Sequence, residues 1–456
     1  MTPAADLRRI GDVAPLVRSG ALSPVTLVEM CLAQIEARSS VNAFITVLTD
    51  SALADARRAQ SEIRDGHSRG PLHGIPVAIK DLIDVAGTRT TAGSAVPASE
   101  ATTDAPVVSR LRDAGAILIG KTNLHEFAYG TTSEESAFGP VRNPLDESRS
   151  AGGSSGGSAA ALAAGMCFGA VGTDTGGSIR IPSAACGTFG LKPSHGELSC
   201  EGIVPLSLTL DHAGPMARSV ADLGLLFQAM KGVDIQEIQP ARGRFVFGVP
   251  TPYFCDLLEP GVRAAFEQAR RTLVAAGHDV IDLEIEHATW TATVYLHIAL
   301  PEATWYHALS LEQHASSYSP GVRLRLEMGK YVLAEDYVRA MRLRDVLRQR
   351  VDRALHRCDA LLLPTLPIAA PRLGISTVQL GDGFEPIRAA MLRLTQLFNV
   401  TGHPALTLPT PPGEDGLPRA VQLVGTRQQT EHLIAISAAV ERHISGGPGS
   451  VGGGTG

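Results

Sequence analysis

Ile75-Pro76-Val77-Ala78-Ile79 and Ala116-Ile117-Leu118-Ile119 are two short apolar runs bounded by glycine or proline, with a helical pattern over about 106–114 between them. Runs of this length that are apolar at every position, rather than alternating, read as strands buried on both faces. A second unit of the same kind follows: Phe245-Val246-Phe247-Gly248-Val249, a helical stretch from Val262 to Ala276 ended by Gly277, then Val280-Ile281-Asp282-Leu283. Strand, helix and strand in alternation predict an α/β chain. Earlier, Ser23-Pro24 followed by Leu27, Cys31 and Ile35 predicts a helix with a hydroxyl cap, proline in its first turn and one core-facing stripe. Between about 286 and 356 the pattern becomes helical and amphipathic. The aromatics there, Trp290, Tyr295, Trp305 and Tyr306, are expected mostly in the core, with some lining a pocket.

Composition narrows the function. With 456 residues, 44% of them apolar and 19% charged, the chain can bury a large core and lies far from the composition of disorder. The 40 basic and 46 acidic residues leave a net charge of -6, and no basic run could neutralise a row of phosphates, which speaks against a nucleic-acid binder. Six scattered cysteines show neither a CxxC pair nor zinc spacing, so reduced thiols and no metal are expected. The N-terminus lacks a secretory pattern, and the longest weakly apolar run, Ala159 to Gly172, is too short to span a bilayer. A soluble, cytoplasmic protein with no membrane segment is the expectation. Ser445 to Gly456 includes seven glycines and little to bury, so a disordered tail is expected there.

Three glycine-rich stretches compete for a chemical reading. Gly115-Ala-Ile-Leu-Ile-Gly120-Lys121-Thr122 spells a phosphate loop, but its middle residues are strand formers rather than a tight turn. Residues 150–158, Ser-Ala-Gly-Gly-Ser-Ser-Gly-Gly-Ser, satisfy GxSxG at Ser154 and Ser155. A nucleophile elbow needs a strand just before it, whereas Asn143 to Arg149 read as polar and turn-like, so the loop is expected simply to cap the Ala-rich helix that follows. Gly172-Thr-Asp-Thr-Gly-Gly-Ser178-Ile-Arg180 packs small residues whose backbone N–H groups can converge on an oxyanion, with Ser178 placed as nucleophile. That serine needs a base. Only five basic residues are lysines, and Lys80 directly follows an apolar strand; held in apolar surroundings it would lose its proton near neutrality. Taken alone, a strand-end lysine reads more simply as a surface charge.

Together these segments resemble the amidase signature family. Val77-Ala-Ile-Lys80-Asp81, Gly120-Lys-Thr-Asn-Leu-His-Glu-Phe127, Ala151 to Ser158, Gly172 to Arg180 and Cys186-Gly-Thr-Phe-Gly-Leu-Lys-Pro193 stand in the family's order, joined by Asp359 to Thr365 and Asn399 to Ala405. The resemblance implies one large α/β domain over 1–444, with a mixed central sheet covered on both faces by helices. It also implies a Ser–cisSer–Lys centre in which Ser178 is the nucleophile, Ser154, after a cis peptide bond, relays the proton, and Lys80 is the base. The backbone at Thr175, Gly176, Gly177 and Ser178 would form the oxyanion hole, with Ser155, Asp174 and Arg180 as supporting residues. No cofactor or metal is implied. The substrate would be a small amide, anilide, ester or carbamate (urethane), and the alternative is the glutamine-hydrolysing subunit of a tRNA-dependent amidotransferase. A histidine base, from His125, His195 or His212, is the competing triad. Specificity is expected from 286–345 and from side chains near His125 to Thr132, whose aromatics suggest an apolar or aryl substrate.

Overall fold

The computed structural model describes residues 8–446. Eleven strands build one sheet: β1 (Phe44–Val47), β2 (Pro76–Lys80), β3 (Ile117–Thr122), β4 (Gly169–Thr173), β5 (Phe189–Lys192), β6 (Ala213–Ala217), β7 (Val246–Pro250), β8 (Asp279–Leu283), β9 (Ala360–Pro364), β10 (Ala405–Thr410) and β11 (Arg419–Val424). Their spatial order is β1-β3-β2-β4-β6-β5-β10-β11-β9-β7-β8. β2 runs parallel to β3 and β4, and β7 runs parallel to β8 and β9. The other pairings are antiparallel, so the sheet is mixed, as the resemblance implied. The two alternating units read from sequence are the two parallel regions. β2 and β3 flank the helix Pro106–Asp113, and β7 and β8 flank the helix Pro260–Ala275.

β2 to β6, β9 and β11 are buried at every residue, which requires cover on both faces of the sheet. Among the described residues no helix is long and apolar enough to cross a membrane. The helix Pro24–Ala37 starts as expected: Ser23 Oγ accepts from Val25 N–H at 3.1 Å, and Leu27 and Cys31 face the core. The phosphate-loop spelling lies in β3, where Lys121 is buried against Asp81 at 2.9 Å and is not free to meet an anion.

Three expectations need correction. The residues before the Gly/Ser stretch turn only at Pro144-Leu145: Asp146–Ser150 pairs antiparallel with Arg142–Asn143 in a separate two-stranded ribbon. A half-exposed ribbon needs no apolar face, so its polar sequence hides it. The aromatics of 286–356 are also mostly outside. Of the four named from the sequence only Tyr295 is buried, while Trp290 is 38%, Tyr306 43% and Trp305 68% exposed. The segment forms the long helices Thr291–His314 and Ala334–Leu355, and one face of each looks away from the sheet. The glycine tail is expected from Ser445, yet Ser445 still closes the helix Thr430–Ser445, and 447–456 lie outside the described residues.

Candidate active site

Lys80 is the last residue of β2 and Thr173 the last of β4. The parallel register, with Ile79 opposite Val171, brings both carboxyl ends together, the end of an α/β sheet where ligands bind. Lys80 is fully buried, which overturns its reading as a surface charge. Its Nζ donates to Ser154 Oγ and to Thr173 Oγ1, each at 2.8 Å. Among the described residues no carboxylate lies within ion-pair distance of it. Lys121, on the neighbouring strand and equally buried, has Asp81 instead. Burial brings the Lys80 ammonium down to about 7, against the more distant pull of Asp174 and Asp211. The amine is therefore available as a proton acceptor near neutrality.

Ser154 reaches Lys80 from the loop between the ribbon and the helix Gly156–Ala163. The Gly153–Ser154 peptide bond is cis, in agreement with the resemblance. A side chain at 153 has no room, since a Cβ there would stand 2.8 Å from both the backbone nitrogen and Oγ of Ser133. Ser155 ties this loop to the next: its Oγ donates to the Thr173 carbonyl at 3.1 Å, and its N–H donates to the Ser178 carbonyl at 3.1 Å.

The loop 174–179 leaves β4 and enters the helix Arg180–Cys186. Asp174 Oδ2 accepts from Ile179 N–H and from Arg180 N–H and Nε–H, at 3.2, 3.4 and 3.0 Å. The N–H groups of Thr175, Gly176, Gly177 and Ser178 have no acceptor among the described residues. Four consecutive free donors form a place for a developing negative charge. Gly177 holds φ +140, and a Cβ there would meet Thr395 Oγ1 at 2.3 Å, so glycine is required. The Thr175 hydroxyl donates to Asp211 at 2.5 Å, and Thr395 Oγ1 donates to the Gly176 carbonyl at 2.6 Å. Both bonds tie the loop to its neighbours. Ser178 itself is 5% exposed, and its Oγ has no hydrogen-bond partner among the described residues.

Beneath the loop, Arg180 and Asp174 form a fully buried pair at 3.0 Å, with Asn399 Oδ1 and Gln422 Oε1 accepting from the same guanidinium. Burial works against the Asp174 carboxylate, but Arg180 outweighs it and holds the carboxyl below its ordinary range. Removing one partner of such a pair leaves an uncompensated buried charge. Arg180→Met is expected to lower unfolding free energy by about 3–5 kcal/mol in urea titrations, and a loss within error of zero would refute the structural role assigned here.

Lys80, Ser154, Ser155, Asp174, Arg180 and the run 175–178 lie together at this one place. Sequence reasoning missed Thr173, the second partner of Lys80, as well as Asp211, Thr395 and Gln422; Asn399 lay inside a quoted segment but had no role. Only Thr173 carried a local signal, as the strand's last residue one position before Asp174. The three histidine rings are engaged elsewhere or apart: the His125 imidazole meets Glu135, the His212 ring bonds the carbonyls of Asp174 and Leu210, and among the described residues no ring nitrogen of the three hydrogen-bonds to Ser154 or Ser178; only the His125 backbone N–H does, donating to the Ser154 carbonyl at 3.1 Å.

A family profile described as Amidase matches residues 26–434. An amidase of Pseudomonas putida is 40% identical over 425 residues, covering 90% of each chain. A glutamyl-tRNA(Gln) amidotransferase subunit of Koribacter versatilis is 35% identical over 457 residues, covering 90% of this chain and 93% of its own. A crystal structure of an amidase matches with a TM-score of 0.92 at 39% identity, over 96% of this chain and 100% of its own. With its motifs in order, its sheet in the expected topology and these likenesses across nearly the whole length, the chain belongs to the amidase signature family.

Proposed function

We propose that the chain hydrolyses the C–N bond of a small amide through an acyl-enzyme on Ser178. The observation that carries this reading is Lys80: a fully buried amine, without a carboxylate partner, bonded to Ser154 beside a loop of free N–H donors. Ser178 Oγ attacks the carbonyl carbon while its proton passes to Ser154 Oγ and the Ser154 proton passes to neutral Lys80. Negative charge forms on the carbonyl oxygen, facing the N–H groups of 175–178. The relay then runs backwards, protonating the leaving nitrogen as the C–N bond breaks. Water repeats the attack on the acyl-enzyme, delivers its proton to the same relay and frees the acid. The link from Ser154 to Ser178 is not closed in the resting structure, and catalytic hydrogen bonds of this kind commonly tighten only around substrate.

The same acyl-serine chemistry serves anilides, esters and carbamates, so these belong to the candidate substrates. Six free cysteines, three of them buried, support a reducing, cytoplasmic setting. The second reading, a glutamine-hydrolysing amidotransferase subunit, is favoured by the relatives of that name. Purified chain alone, given anilides, linear amides, aryl carbamates and glutamine, separates the two. Turnover of an amide or anilide with glutamine untouched is the expected result. Glutaminase activity that appears only with added partner subunits would overturn it.

A further inference from the structure

Tyr129 lies two residues beyond the His125–Phe127 motif and is 2% exposed, with two guanidinium groups near its ring: Arg325 at 5.3 Å and Arg388 at 5.8 Å from the centroid. Two like charges so close need counterions. Arg325 has Glu135 at 3.1 Å. Arg388 makes neither an ion pair nor a hydrogen bond with any described residue. Three donors at this spot are buried without an acceptor: the Tyr129 hydroxyl, Arg325 Nε and Arg388 Nε. A buried donor left unpaired costs about 1–3 kcal/mol, and native structures hold few of them. Three together are the lining of a site whose acceptor comes from outside.

This spot adjoins the free N–H run. Arg388 stands on the helix Ile387–Leu392, whose last residue reaches Gly176: a Cβ built at Gly176 would lie 3.0 Å from Leu392 Cδ2 and 2.9 Å from the Tyr295 hydroxyl. Arg388, Leu392 and Arg393 also line a cavity of about 240 Å³ whose only acid, Glu385, pairs with neither arginine. Burial pushes the Tyr129 hydroxyl up to about 12, against the pull of Arg388 and Arg325, so it remains a donor at any working pH.

The geometry points to an anion subsite formed by Arg388 and Tyr129, so that the amide cleaved at Ser178 carries a carboxylate or an equally charged acceptor group. This rests on the hydrolase reading for the reaction but not for the binding. Arg388 offers a planar fork that meets a carboxylate through two N–H groups, Tyr129 adds an O–H donor, and Arg325 adds positive field. The aromatic character near residue 129 thus serves to seat guanidinium groups.

The test reads binding on Ser178→Ala protein by titration calorimetry, with oxamate, malonamate, succinamate and glutaramate against the corresponding neutral diamides. At least one monoamide acid is expected to bind about tenfold or more tightly than its diamide, with a preference that shrinks as salt rises. Adding Arg388→Gln, which breaks no protein hydrogen bond, should bring that preference below about twofold, and Arg388→Lys should restore part of it. Equal affinity for acids and diamides throughout the series, or a preference untouched by Arg388→Gln, overturns the subsite. Failure of the hydrolase reading shows elsewhere, as wild-type protein that forms no adduct with an activated ester while the calorimetry still reads the subsite.

Discussion

Ser178→Ala is expected to abolish the acyl-enzyme and to lower turnover by about 10⁴-fold or more, because it removes the serine hydroxyl carried by the free N–H run of 175–178. Ser154 and Ser155 cannot substitute. Ser154 is fully buried against Lys80, and the Ser155 hydroxyl is committed to the Thr173 carbonyl. The fold should be untouched, since Ser178 Oγ holds no protein partner. Intact-protein mass spectrometry after an activated ester or a fluorophosphonate reads the result directly: wild type gains the adduct mass at Ser178 and the variant does not. Near-parental turnover in the variant would remove the nucleophile from the mechanism.

Lys80→Met should cost about 10²–10⁴-fold in acylation, the usual share of a positioned base, while keeping the long side chain's volume in the core. The sign of the pH effect follows from the amine being held near 7. Below that value Lys80 is protonated and cannot accept, so the wild-type acylation rate should rise with pH through about 7 and then level. The variant should lose this limb and recover only partly at high pH, where hydroxide replaces the base. Stability supplies an independent readout. In the unfolded chain this lysine keeps its proton up to its ordinary 10.5, whereas in the folded protein it keeps it only to about 7. Between these values the unfolded state binds more protons, so Lys80 makes stability rise with pH across that window, and below it the contribution is constant. Lys80→Met should flatten the rise. A variant that is unfolded rather than inactive would make Lys80 a structural residue.

How much of this was legible beforehand depends on the range of the interaction. Ile75 to Ile79 and Ile117 to Ile119 announce strands because a strand buried on both faces must be apolar throughout. Ser23-Pro24 announces a helix start because the cap is made within three residues. The ribbon at 142–150 and the outward face of Trp305 were not legible, because burial there depends on what the rest of the chain leaves uncovered. Thr173 lay inside a quoted glycine-rich segment, yet its bond to Lys80 needed the register between β2 and β4, which neither segment contains.

The sequence by itself determined where backbone can turn tightly, which stretches must be covered, and the order of motifs that marks the family. Each of these is set by residues close together along the chain. Tertiary structure alone decided the surroundings of each buried lysine. Lys80, Lys121 and Lys192 are all fully buried, but Lys121 faces a carboxylate and Lys192 faces the carbonyls of Pro193 and His403. Only Lys80 is bonded to hydroxyls alone, one of them on the loop beside the free N–H donors. Proton affinity is fixed by the field of whatever packs around an amine, and those neighbours come from residues nearly a hundred positions away.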